Sequence, residues 1–310
     1  MSRDASAEEF ARRLRTVAGE IEATLERLLS AHAFAGEVAR PARLLEAMRY
    51  ATLGGGKRLR PFLVVETARA LGVEGEGVLR AGAALEMVHC YSLVHDDLPA
   101  MDDDDLRRGR PTAHVKFDEA TAILAGDALL TYAFDVLADE ATHPDPAVRS
   151  ALVLGLARAG GLGGMAGGQA LDLEAEKAAT PLGAEAVMQL QAMKTGALLL
   201  FGVEAGAILG GADADGRAAL ARYGRALGAA FQVADDILDT ESDAATLGKA
   251  AGKDAGRNKG TLVSALGLEA AKARRDALAV EAEAALASLG GRVRTGMLAE
   301  AARFTVERRS

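Results

Sequence analysis

The sequence has no tryptophan, a single cysteine, and aromatic residues at only 4% of its 310 positions. With Cys90 alone, an internal disulfide and a thiolate zinc centre are both excluded, which fits a reducing, cytoplasmic setting. β-Branched residues are sparse beside Ala, Leu, Glu and Arg, so strand is disfavoured nearly everywhere. Long uncharged runs are missing as well: the most apolar stretch, 196–212, is short and carries Glu204, a poor membrane span. Residues 1–15 mix Asp4, Glu8 and Glu9 with four arginines and lack the apolar core of a signal peptide. Nor is there a basic excess. The net charge of -8 argues against a general nucleic-acid binder.

Half of the chain is hydrophobic, enough for a sizeable core. Phe10, Leu14, Val17, Ile21, Leu25 and Leu28 recur at helical spacing within 5–33. Further helices are expected over 41–53, 61–71, 78–95, 118–138, 183–210 and 213–239, with two more from about 263. Nothing resembles a linker, so we expect one all-α domain spanning 1–310.

Two acidic clusters stand out. The first, Asp96-Asp97-Leu98-Pro99-Ala100-Met101-Asp102-Asp103-Asp104-Asp105, places six carboxylates in ten residues, which a fold tolerates only with cations, solvent or raised pKa values. Pro99 interrupts the helix that ends there, giving Asp102 a way to swing back toward Asp96. The second, Asp235-Asp236-Ile237-Leu238-Asp239, has no breaker, so Asp235 and Asp239 share a helical face. Two such clusters suit a diphosphate bridged by Mg²⁺, which takes one or two carboxylates plus phosphate oxygens.

Lys57 and Arg60 lie three apart after Gly54-Gly55-Gly56, within reach of one phosphate group if a helix starts here; a solvated basic loop fits equally. The stretch is not a nucleotide-binding P-loop, because Ala51 and Arg58 replace its first glycine and its hydroxyl. The run 160–168 matches a dinucleotide fingerprint only loosely and lacks a preceding strand, so close helix packing is expected. An EF-hand lacks its glycine and glutamate, and the metallohydrolase dipeptide His95-Asp96 has no paired histidines to complete it. Lys194 and Thr195 form a polar pair between apolar turns. Residues 241–259, carrying Lys249, Lys253, Arg257 and Lys259, read as a basic loop and a candidate lid.

Five motifs taken together are specific: Gly55-Gly56-Lys57-Arg58-Leu59-Arg60-Pro61; the first acidic cluster with Leu106-Arg107-Arg108-Gly109; Gly168-Gln169-Ala170-Leu171-Asp172-Leu173; Lys194-Thr195-Gly196; and Phe231-Gln232-Val233-Ala234 before the second cluster. In this order the chain resembles the trans-isoprenyl diphosphate synthases, most closely the bacterial farnesyl diphosphate synthases. The resemblance covers nearly the whole chain. It implies a helical bundle around a deep cavity, a homodimer, and a prenyltransferase joining isopentenyl diphosphate to allylic diphosphates without nucleic acid or membrane span.

Carried over by position, Asp96, Asp102 and Asp235 hold Mg²⁺ on the allylic diphosphate, supported by Asp97 and Asp239. Arg107, Lys194 and Lys249 bind that same diphosphate, with Lys259 a less secure contributor because its surrounding motif departs from the family pattern. Lys57, Arg60, His89 and Arg108 bind isopentenyl diphosphate. Lys194, Thr195 and Gln232 favour the carbocation. Tyr91, five residues before the first motif, and Ser92, one turn from Asp96, limit product length to fifteen carbons. The alternatives are a geranylgeranyl diphosphate synthase and, from another reaction class, a terpene cyclase.

Overall fold

The computed structural model describes residues 3–246 and 261–307. Fourteen α-helices are found among these residues: α1 (Arg3–Leu28), α2 (Ala42–Thr52), α3 (Leu59–Ala70), α4 (Glu76–Asp96), α5 (Ala113–Lys116), α6 (Glu119–Ala138), α7 (Pro146–Gly160), α8 (Met165–Glu176), α9 (Ala184–Gln191), α10 (Ala197–Leu209), α11 (Ala214–Thr246), α12 (Leu262–Leu266), α13 (Leu268–Ala287) and α14 (Gly296–Glu307). The all-α expectation holds. One small exception is an antiparallel pairing of Leu106–Arg107 with Arg110–Pro111, a hairpin that closes the first acidic loop.

Starts follow local chemistry. The Asp118 carboxylate accepts the Thr121 N–H at 2.7 Å to cap α6, and Asp145 caps α7 ahead of Pro146, whose missing N–H costs nothing in a first turn. Thr261 and Ser264 form a reciprocal capping box on α12.

The core lies where α3, α4, α10 and α11 meet, with Phe62, Leu63, Leu85, Met87, Phe201 and Tyr223 fully buried. Each such side chain contributes about 1.5–3 kcal/mol on burial. Tyr223 also satisfies its hydroxyl by donating to the Leu298 carbonyl at 2.7 Å. The close approach of α10 to α3 needs Gly206, because a Cβ there would collide with Thr67 and the Val64 carbonyl.

Some boundaries differ from expectation. The first helix ends at Leu28, short of residue 33. The single helix expected over 183–210 is α9 and α10 joined by a π-helical turn, Ala192–Gly196. Helix α11 continues past Asp239 to Thr246, so the first residues of the proposed loop are helical. Lys249 and Lys259 lie outside the described residues. By length and composition α6 and Ala184–Leu209 could each cross a membrane. Here α10 packs among α3, α7 and α11, while α6 packs on α4.

Candidate active site

Helix α4 delivers the first acidic motif. Pro99 ends its hydrogen-bond ladder and the chain doubles back, so that the Asp102 N–H donates to the Asp96 carbonyl at 2.8 Å, Asp103 N–H to Leu98 at 3.2 Å, and Asp104 N–H to Asp97 at 3.2 Å. Asp103 takes a left-handed backbone, φ 55°, to complete the turn. Asp96 and Asp102 thereby sit on one compact loop despite six residues of separation. Burial raises the Asp96 pKa to about 6; Lys194 and Arg107 oppose the shift and the like charge of Asp102 reinforces it.

Asp97 points into the protein. It is buried and chelated by Arg107, whose Nε lies 2.7 and 3.0 Å from its two oxygens and whose second nitrogen lies 2.6 Å from one of them. Burial raises its pKa, opposed by this guanidinium. Arg107, expected to bind the allylic diphosphate, is therefore held by a carboxylate of its own loop, because the hairpin of residues 106–111 folds it back.

A cavity of about 370 Å³ opens beside this loop, lined by Tyr91, Ser92, His95 and Asp96 from α4, Gln169 and Leu173 from α8, and Lys194 and Thr195. The π-helical turn inserts one extra residue per turn and presents Lys194 and Thr195 together. Lys194 Nζ lies 2.5 Å from Asp172 of α8. Gly168 lets α8 approach the Lys194 backbone, which any Cβ there would overlap; this is the close packing anticipated for the glycine-rich run.

Arg60 and His89 line the same cavity, with Arg60 Nη1 3.4 Å from His89 Nε2. Burial and then the Arg60, Arg108, Arg58 and Arg107 charges hold His89 well below its ordinary pKa, so the ring is neutral and accepts through Nε2. Helix α3 begins at Leu59 with Arg58 before it in a left-handed conformation, so Lys57 lies outside the helix. Of the two readings of this stretch, the helical i,i+3 pairing of Lys57 and Arg60 does not form, because the helix starts after Lys57. Arg58 is buried on Glu86 at 2.6 Å and is structural. Arg108 donates to the Gly55 carbonyl, in the glycine stretch that precedes Lys57. Among the described residues, four buried side-chain polar atoms have no hydrogen-bond partner, and two of them, Arg60 Nε and Gln169 Nε2, belong to residues of the cavity wall.

The second motif lies on α11 without interruption. Asp236 is buried, accepting from Gln191 Nε2 at 2.8 Å, Gln232 Nε2 at 3.2 Å and the Leu262 N–H at 2.8 Å. Asp235 is half-buried and its charge acts on Arg60, a residue of the cavity wall; Asp239 is exposed. Gln232 is engaged with Asp236, one turn away. Among the described residues no three acidic, histidine or cysteine side chains converge on a point that would hold a metal ion. The clusters therefore do not form an all-protein metal cage. Hard oxygen donors on separate elements fit Mg²⁺ shared with phosphate oxygens and water.

The polyprenyl synthetase family model matches residues 41–287, which include both motifs, the π-helical turn and the cavity. The chain belongs to this family. Among curated relatives of this polyprenyl synthetase, the farnesyl diphosphate synthase of Escherichia coli is 50% identical over 250 residues, 79% of this chain and 82% of that protein. That of Geobacillus stearothermophilus is 47% identical over 247 residues, 79% and 81% of the two chains. The solved FPP/GFPP synthase of Zymomonas mobilis superposes with TM-score 0.85 at 43% identity, covering 97% of this chain and 99% of that one.

Sequence reasoning passed over Asp172, Gln169 and Gln191. The first two stood inside a quoted motif, where their spacing one turn apart was the available signal. Gln191 carried none, since its partner is 45 residues away.

Proposed function

We propose that this polyprenyl synthetase condenses isopentenyl diphosphate head to tail with dimethylallyl and then geranyl diphosphate, releasing farnesyl diphosphate. The supporting observation is the cavity that runs between a carboxylate loop and a cluster of cations, with Tyr91 in its wall. It works with Mg²⁺ in the cytoplasm as a homodimer of single-domain chains.

Asp96, Asp102 and Asp235 supply oxygen ligands to the metal on the allylic diphosphate. Held there, Mg²⁺ would supply positive charge to offset the charge of the departing diphosphate. Lys194 adds a cation next to Asp96, exchanging its Asp172 contact for phosphate oxygens, and Lys249 and Lys259 add others. Arg107 acts by fixing the loop through Asp97 and by its field at Asp96. Lys57, Arg60 and Arg108 hold isopentenyl diphosphate, and the neutral His89 ring accepts from Arg60 to orient its guanidinium. The unpaired Arg60 Nε and Gln169 Nε2 are ready donors for bound anions.

Inside the cavity the Thr195 oxygen and the Lys194 carbonyl direct negative ends toward the cation, while Gln232 acts through its amide dipole. The alkene of isopentenyl diphosphate attacks the allylic cation, and loss of a proton to the released diphosphate completes the step. Leu173, Met101 and Met165 keep the wall apolar and exclude water. Tyr91 and Ser92 stop the tail; the Ser92 hydroxyl is spent on the His89 carbonyl at 2.8 Å, leaving Tyr91 as the bulk.

Purified protein given dimethylallyl and isopentenyl diphosphates with Mg²⁺ should yield, after dephosphorylation, mainly the fifteen-carbon alcohol. A mainly twenty-carbon product would reassign it as a geranylgeranyl diphosphate synthase, and a hydrocarbon from a single allylic substrate would make it a cyclase.

A further inference from the structure

Resting on the reading of the cavity as a prenyl site, we infer that His95, clamped against α6 at Gly126, is a specificity-determining residue: it props Tyr91 and so sets the chain length that fits. Tyr91 and His95 are i,i+4 on α4 and both line the cavity. Their rings meet edge to face, with centroids 5.7 Å apart and planes at 84°, the arrangement that aromatic quadrupoles favour. Tyr91 therefore has a fixed backing on the side toward Asp96.

His95 is itself fixed from outside. Its Nε2 lies 3.0 Å from the Ile123 carbonyl of α6, which makes that nitrogen the protonated donor, and 3.9 Å from Asp127 Oδ1. A third support is missing bulk. A Cβ on Gly126 would overlap the His95 ring at Nε2, Cδ2 and Cε1. Glycine in a helix interior is disfavoured relative to alanine, and α6 uses alanine at 122, 125, 128 and 133. At 126 the ring leaves no space for it.

The ring thus stands between α6 and the cavity, and this position gives the two substitutions opposite signs. Removing it in His95→Ala adds the volume of the ring to the cavity and frees Tyr91 from its edge-to-face contact, so that a longer chain fits. Adding a methyl in Gly126→Ala leaves the ring one direction to move, into the cavity, which becomes shallower. With the ring already gone, the methyl has nothing to displace.

The test sizes products from dimethylallyl and isopentenyl diphosphates with Mg²⁺ for the wild type, Tyr91→Ala, His95→Ala, Gly126→Ala and the His95→Ala/Gly126→Ala double variant. The ratio of products is read, so it is independent of how much enzyme remains active; thermal melting verifies folding. His95→Ala should raise the twenty- to fifteen-carbon ratio about tenfold or more, the scale on which apolar pockets discriminate size. Gly126→Ala should raise the ten- to fifteen-carbon ratio comparably, and that effect should vanish in the double variant, as expected of sites in contact. A ratio unchanged in either single variant, with only melting temperature or turnover lowered, would assign His95 a purely structural role and overturn the inference. So would a Gly126→Ala effect that persists without the ring. Failure of Tyr91→Ala to lengthen products would instead remove the prenyl floor on which the inference rests.

Discussion

The two aspartate motifs share a division of labour but reach it by different physics. In each, the second aspartate is interior, Asp97 and Asp236 both being buried, while Asp96 lines the cavity and Asp235 is half-buried. Asp97 is neutralised by one full charge, Arg107, whereas Asp236 is satisfied by two side-chain amides and a backbone N–H. The first motif is bent by Pro99 so that its outer aspartates share a loop; the second is straight and anchors α9, α11 and α12 to one another. On the proposed reading an aspartate pair is one ligand and one fastener, and the fastener's partner differs with the job. The loop is held by a cation that also acts on the site, and the helix by neutral groups that leave the field there unaltered.

The largest expected effects are at the outward members. Asp96→Ala and Asp235→Ala should each lower turnover by at least about 10²–10³-fold, the scale of losing one aimed electrostatic group, and chelating the metal should abolish it. Steady-state rates with excess Mg²⁺ measure this. If only one of the two variants were impaired, the motifs would not act jointly.

The inward members should split by the nature of their partner. Asp97→Asn removes the closest carboxylate from a part-buried guanidinium, which keeps only Asp104 at 3.9 Å, and should cost about 2–4 kcal/mol. Asp236→Asn keeps an accepting oxygen and should cost about 1–2 kcal/mol. Denaturant unfolding gives both values, and the reverse order would break the comparison.

A smaller effect separates the motifs by pH. In the metal-free protein Asp96 should take up a proton near pH 6, visible as a carboxyl shift by NMR. Because its folded pKa lies above the unfolded value, the metal-free fold should gain stability as pH falls through 6 toward 4. The gain should be absent in Asp96→Asn. Full retention in that variant would place the titration elsewhere.

Much of this was legible in the sequence, for identifiable reasons. The Pro99 turn followed from one residue's missing N–H, and the rejection of a P-loop held because Arg58 turns inward to Glu86. The amphipathic pattern of 5–33 gave the inner face of α1, though not its end. What escaped depends on partners remote in sequence or on backbone states without a residue code. The π-helical turn at Lys194 has no compositional signal, and the capture of Arg107 by Asp97 needed the hairpin of 106–111. The extension of α11 to Thr246 was readable, since 240–246 contain neither glycine nor proline; its polar composition suggested a loop instead.

The most direct test of joint action is calorimetric titration of Mg²⁺ into the protein with and without an unreactive thiolo analogue of an allylic diphosphate, repeated in Asp96→Ala and Asp235→Ala. Tight metal binding should require the analogue and be lost in both variants. Tight binding without the analogue, or in either variant, would contradict a site in which two separate carboxylate motifs are completed by the substrate.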